Sequence, residues 1–115
     1  MAKGKNVRVS WTIDKKKLRS LSGDVKKRAS KAVQETRADL AREMRSRAPR
    51  REGELAESIK EYEPGPTRGV VWVDAKHGIH VEYGTSRMPA QPFIRPAAKA
   101  VEAEWKKRAE AVFDE

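Results

Sequence analysis

The sequence predicts an α+β domain, in which a small antiparallel sheet of about four strands carries on one face a long helix from the N-terminal half and a C-terminal helix. Three patterns in the 115-residue chain support this prediction: period-two alternation near the N terminus, a long stretch with apolar residues three or four apart, and two β-rich runs around a proline-rich turn. A chain of this length is expected to form one domain over residues 1–115, with the first few residues flexible.

The first two elements are a strand and a long helix. Residues 7–13 alternate apolar and polar side chains, as a half-buried strand does. Apolar residues then recur at helical spacing, and the helix proper is expected to begin at Ser22 or Asp24. It should end at Ala48, because Pro49 disfavours helical backbone in the residue before it.

The second half of the chain predicts a three-stranded meander followed by a helix. A polar connector at residues 49–57 precedes it, and Pro64-Gly65-Pro66 is a strong turn signal between two runs that should pair as a hairpin. Helical spacing of apolar residues resumes at Ile94 and continues to Val112. The three strands are expected at about residues 58–63, 70–73 and 79–83.

The composition is polar, and the charge is unevenly distributed. Charged residues make up 37% of the chain, and the net charge is +9. Residues 1–60 hold 18 lysines and arginines against 8 acids, whereas residues 61–115 hold 8 against 9. The chain has no cysteine and no signal-peptide pattern, so we expect synthesis in a cytoplasm; no apolar run is long enough for a membrane span.

No set of residues meets the requirements of a catalytic or metal site. His77 and His80 are the only histidines, and no cysteine is present to complete a zinc site. Glu82 could orient the His80 imidazole, but no nucleophile is placed beside them. We therefore expect no enzyme activity, no metal and no cofactor.

A cluster of arginines near the end of the long helix is the best candidate for binding a polyanion. Cations at a helix C terminus are also favoured by the helix dipole, so a purely structural role explains part of the cluster. No aromatic residue is interleaved with the arginines, so they could contact phosphates but would not read a nucleic-acid sequence. The cluster comprises Arg42, Arg45, Arg47, Arg50 and Arg51.

The most informative segment is residues 81–97, VEYGTSRMPAQPFIRPA, which holds three prolines and one glycine. Such a composition constrains the backbone closely and suits a segment that presents one shape to a neighbour. We expect residues 81–83 to complete the sheet, 84–91 to face another subunit, and 92–97 to start the final helix; Phe93 could instead point inward. The candidate interface residues are Tyr83, Gly84, Thr85, Ser86, Arg87, Met88, Pro89, Gln91, Pro92 and Phe93.

The chain resembles the neck and tail-completion proteins of long-tailed bacteriophages. The resemblance covers residues 25–112 and rests on three features. A long helix ends in Ala48-Pro49, a Gly-Glu-Leu follows at residues 53–55 with Ser-Ile at 58–59, and a Glu-Tyr-Gly-Thr turn leads into Pro-Ala-Gln-Pro-Phe-Ile-Arg-Pro-Ala. The last of these is the specific one. Where this chain has Arg51-Glu52-Gly53, the family often has Thr-Gly or Ser-Gly.

The resemblance implies a non-enzymatic virion protein of the head–tail junction. It further implies a homo-oligomeric ring, hexameric by analogy, that joins or terminates the tail and contacts connector, tail-terminator or tail-tube proteins. The ring would surround the axis through which DNA passes, and non-specific DNA contact is compatible with that position. Two other classes remain open from the residues alone: a small basic nucleic-acid-binding module, and a small hydrolase or toxin-like domain.

Overall fold

A computed structural model describes residues 7–48, 57–73, 81–84, 86 and 89–114, without the side chains of residues 7, 15, 63 and 64. The expected polar connector, the turn at 74–78 and the flexible N-terminal residues therefore fall wholly or largely outside the described residues. So do five of the candidate side chains, namely His77, His80, Thr85, Arg87 and Met88, and the arginines Arg50 and Arg51.

The described part of the chain contains one antiparallel sheet of three strands in the order β1-β3-β2. The strands are β1 (Val7–Thr12), β2 (Ile59–Gly65) and β3 (Arg68–Val73). β2 and β3 form the expected hairpin, with a register shift between Tyr62 and Gly65 where the extra residues of the Pro64 region are accommodated. β1 pairs with β3 without interruption, so the two edges of the sheet are β1 and β2.

The expected strand at residues 79–83 is wrong for its described part. Residues 81–83 form a single helical turn. In a strand, Val81 and Tyr83 would share a face and Glu82 would point the other way. Instead Val81 and Glu82 are both buried while Tyr83 is exposed, because this turn packs against the start of the last helix and does not extend the sheet.

Three helices accompany the sheet: α1 (Lys15–Arg19), α2 (Gly23–Arg47) and α3 (Ile94–Val112). The expected start of the long helix is confirmed by the Ser22 hydroxyl, which caps α2 by accepting a hydrogen bond from the Val25 N–H at 3.3 Å. Its expected end is confirmed by Ala48, whose backbone is extended (φ −65°, ψ 138°) as required before Pro49.

Two apolar clusters lie along α2 and are closed by α3. One joins the C-terminal half of α2 to the sheet and the start of α3, with Leu40, Met44, Val71 and Phe93 fully buried. The other joins the N-terminal half of α2 to α1 and the end of α3. Between them the buried Thr36 hydroxyl accepts a hydrogen bond from Arg108 at 3.0 Å, which satisfies the one polar side chain on this face of α2.

The inner face of the sheet is fitted closely around Trp11. Trp11 of β1 lies opposite Gly69 of β3, and a Cβ atom at Gly69 would lie 2.5 Å from the indole Cζ2. Glycine is therefore required here so that the ring can lie against the strand. The opposite face of the sheet carries Trp72, as its alternation with Val71 and Val73 predicts.

Candidate subunit interface

Residues 83–92, which we call the docking loop, are closed at their base by one buried carboxylate. Glu82 Oε1 accepts hydrogen bonds from the backbone N–H groups of Phe93 (2.9 Å) and Ile94 (2.8 Å). Oε2 accepts from the Arg95 N–H at 3.1 Å and from Arg95 Nε at 2.7 Å. Helix α3 has no side-chain cap of its own at Phe93, so Glu82 supplies that cap from across the loop.

The electrostatics of Glu82 favour the charged carboxylate. Burial by itself raises the pKa of Glu82, but the hydrogen bonds donated by Ile94, Arg95 and Phe93 stabilise the anion and leave the pKa below its ordinary value. The Arg95 guanidinium also donates to the Glu82 carbonyl at 3.3 Å and lies 4.8 Å from the centre of the Tyr83 ring. The base of the loop is thus held by backbone, charge and ring contacts together.

A second contact and one special backbone angle shape the docking loop itself. The Gln91 N–H donates to the Val81 carbonyl at 2.8 Å, which ties the end of the loop to its beginning. Gly84 has φ 80°, a conformation that residues with a Cβ adopt at a cost. The chain therefore turns outward at Gly84 and returns at Gln91, and the residues between those two points form a surface projection.

The structure separates the candidate interface residues into two groups. Phe93 is completely buried in the core, so the choice that the sequence left open for it is resolved in favour of the core. Tyr83 has 59% of its surface exposed, Gly84 and Gln91 are half-buried, and Ser86, Pro89 and Pro92 are exposed. Thr85, Arg87 and Met88 lie outside the described residues.

The described members of the arginine cluster have partners within the chain. Arg42 pairs with Asp39, Arg47 Nε lies 3.0 Å from Glu43, and Arg45 Nη1 lies 3.4 Å from Glu61. Arg45 also donates to the Ile59 carbonyl at 3.1 Å, which fastens α2 to β2. Much of the charge expected to meet a polyanion is therefore already neutralised within the fold.

Cations that form no ion pair with described residues lie instead on the outer face of the sheet. The strand register places Arg8 and Lys60 on either side of Trp72, and places Ser10 and Tyr62 on either side of Val70. Arg68 completes this face beside Thr12. None of these eight side chains is acidic, so the described part of this face is cationic with two aromatic rings.

No candidate catalytic or metal centre lies in the described part of the chain. It contains no group of three or more histidine, cysteine, aspartate or glutamate side chains that could hold a metal ion. None of its helices is long and apolar enough to cross a membrane. Glu82, the acid considered as a partner for His80, instead caps α3. A helix that starts without a capping residue of its own was the signal in the sequence for that role.

A small α+β protein with a pre-shaped surface loop belongs to the class of assembly proteins by these features, because its best-ordered polar cluster supports a surface projection. The chain belongs to the HK97-gp10-like family, whose model, described as "Bacteriophage HK97-gp10, putative tail-component", matches residues 4–84. This confirms the resemblance to phage neck and tail-completion proteins. The match includes Glu82 and stops at the start of the docking loop. Comparisons with curated proteins and with solved structures found no match.

Proposed function

We propose that the chain is a structural virion protein of the bacteriophage head–tail junction, where copies of it form a ring that joins the tail to the head or terminates it. Membership of a family of tail components supports the virion location. The observation that carries the assembly role is the docking loop, whose ends are fastened to each other by Glu82 while its apolar and proline side chains face outward.

The docking loop suits assembly because its ordering is completed during folding of the monomer. Pro89 and Pro92 restrict the backbone, and the hydrogen bond between Gln91 and Val81 closes the loop. A segment that is already ordered loses little conformational entropy when a neighbour binds it. The proposed ring is hexameric, and its other contacts are with connector, tail-terminator or tail-tube proteins.

A conditional mutant of the encoding phage that does not make this chain tests the proposal. Full heads and separate tails, or tails of uncontrolled length, are the expected products in electron micrographs of lysates. Supplying the wild-type chain should restore joined particles, and supplying Lys107→Ala should do so equally, because Lys107 is exposed on α3. Normal yields of infectious particles without the chain would refute a role in the junction.

A second candidate function, contact with nucleic acid, is favoured by the outer face of the sheet. The cations Arg8, Lys60 and Arg68 can neutralise phosphates, and the rings of Tyr62 and Trp72 lie on a diagonal of neighbouring strand positions. Such diagonal positions are about 7–8 Å apart, a separation at which two rings can each stack on a base. This function is compatible with the first, since a ring around the tail axis has a face toward DNA.

A further inference from the structure

An apolar groove runs along the free edge of β1. It has a volume of about 430 Å³, and three consecutive residues of β1 line it together with residues from α2 and α3. Because side chains of consecutive strand residues point to opposite faces, a groove that touches all three lies at the edge of the strand. Its apolar walls are Val9, Trp11, Leu40, Val101 and Trp105, and Lys99 and Glu102 contribute polar groups to its lining.

Trp11 brings an unsatisfied hydrogen-bond donor to this groove. Its Nε1 is buried and has no hydrogen-bond partner among the described residues. A buried donor without a partner is uncommon in folded proteins and is satisfied when a carbonyl oxygen is supplied. The two indoles, Trp11 and Trp105, therefore form an aromatic surface with an N–H group that needs an acceptor.

The docking loop carries a segment that matches this need. Pro89-Ala90-Gln91-Pro92 has two prolines three residues apart, and both prolines and Ala90 are exposed. Pro92 restricts Gln91 to extended backbone, and both prolines have fixed φ, so the segment favours a polyproline II conformation. Segments of this kind bind aromatic-lined grooves with their rings against the aromatic side chains and their carbonyls free to accept hydrogen bonds.

We propose that residues 89–92 of one copy dock in the Trp11–Trp105 groove of the next copy. This inference rests on the proposed ring, for which it names the contact. Loop and groove are different surfaces, so each copy uses one of each and the contact is head to tail, the arrangement that closes into a ring. Trp11 Nε1 donates to a carbonyl of the docked segment.

The contact can be measured without any ring. A peptide with the sequence of residues 84–92 (GTSRMPAQP), blocked at both ends, is titrated into ¹⁵N-labelled full-length protein that carries Pro89→Ala and Pro92→Ala, so that its own loops do not compete. The Trp11 indole N–H resonance, assigned with Trp72→Phe and Trp105→Phe, should move downfield with saturation. The Trp72 indole, on the other face of the sheet, is the internal control and should not move.

Two matched changes test the specificity of the contact. A peptide with both prolines replaced by alanine should bind roughly tenfold more weakly, because it loses the restriction of the backbone. Val101→Glu in the protein should weaken binding of the native peptide by a similar factor or more, whereas Lys107→Ala should leave it unchanged, with circular dichroism confirming that each variant is folded. Equal affinity of the two peptides would overturn the proposal and favour an added β-strand at the β1 edge.

A mixing experiment separates failure of the contact from failure of the ring. Loop variants and Val101→Glu variants should each stay monomeric, but an equimolar mixture should form a 1:1 dimer, because one intact loop and one intact groove remain. No shift of the Trp11 indole at saturating peptide overturns the contact, even if rings exist in virions. A shift without any ring in virions retains the contact and removes the junction role.

Discussion

The Glu82 carboxylate lies 2.7 Å from Arg95 Nε, and the same carboxylate accepts the first backbone N–H groups of α3. One side chain thus begins a helix, closes the docking loop and anchors the arginine that contacts the Tyr83 ring. Since the side chain of Glu82 is completely buried, this arrangement depends on every one of its acceptor sites being used.

Replacing Glu82 by glutamine should destabilise the protein by about 2–3 kcal/mol, because an amide presents only one acceptor oxygen and sets its NH₂ group against backbone donors. Urea unfolding followed by circular dichroism measures the change. Glu104→Gln is the matched control, since Glu104 is exposed on α3, and it should change stability by less than about 0.5 kcal/mol. Equal stability of the two variants would show that Glu82 is not the cap of α3.

The lowered pKa of Glu82 predicts a stability that falls in acid. The ordinary pKa of this carboxyl is 4.5 and its folded value is lower, so the folded state releases the proton more readily than the unfolded chain. The stabilisation is therefore complete above pH 4.5 and is lost as the pH falls through the folded pKa. Unfolding free energies measured between about pH 6 and pH 3 should fall less steeply in Glu82→Gln than in the wild type.

Asp39 should account for a further part of the acid sensitivity. Burial raises its pKa, but hydrogen bonds and charge from Arg108 and Arg42 outweigh burial and hold the pKa below its ordinary value of 3.8. Its contribution is likewise present above that value and lost below it. In a Glu82→Gln background, Asp39→Asn should flatten the remaining slope below about pH 4. An unchanged slope would assign the acid sensitivity to other carboxyls.

The elements with a local period could be predicted from the sequence, and the loop base could not. β1, α2 and the hairpin follow from alternation, helical spacing and turn residues within each segment. The alternation of Ile79, Val81 and Tyr83 also fits a strand, but the backbone at residues 81–83 is set by Glu82, whose partners are eleven to thirteen residues away. Sequence period carries no information about such a contact, and the burial of Phe93 was undecided for the same reason.

Gly69→Ala should destabilise the sheet, because the new methyl group would overlap the Trp11 indole. A methyl carbon only 2.5 Å from the indole Cζ2 requires the ring to move, and overpacking of this kind costs about 1–3 kcal/mol. Thermal unfolding and the near-ultraviolet circular dichroism of the indole report the effect. Gly65→Ala is the control, since a methyl group there meets no atom within 4 Å. An unperturbed Gly69→Ala spectrum would contradict the close approach.

The outer face of the sheet predicts salt-dependent binding of single-stranded DNA. Affinity for an oligo(dT) probe should fall steeply as salt rises, and Arg8→Ala and Lys60→Ala should each reduce the slope of log K against log salt by about 0.7. Trp72→Leu should weaken binding with little change in slope, because a stacking contact releases no counterion. Fluorescence anisotropy measures both quantities.

The control for this prediction is Arg47→Ala, which removes a cation already paired with Glu43 on α2. It should leave both affinity and slope nearly unchanged. Undetectable binding at about 20 mM salt, or a larger effect of Arg47→Ala than of Lys60→Ala, would remove the nucleic-acid function from this face.

The central claim is that this chain forms a ring at the head–tail junction with docking loops at the contacts between its copies. Cryo-electron microscopy of purified virions or isolated tails, at a resolution that traces the chain, tests it most directly. The expected map shows a closed ring of copies on the tail axis, with residues 89–92 of each copy against Trp11 and Trp105 of its neighbour. A map that lacks the chain, or places it away from the axis, would contradict this claim.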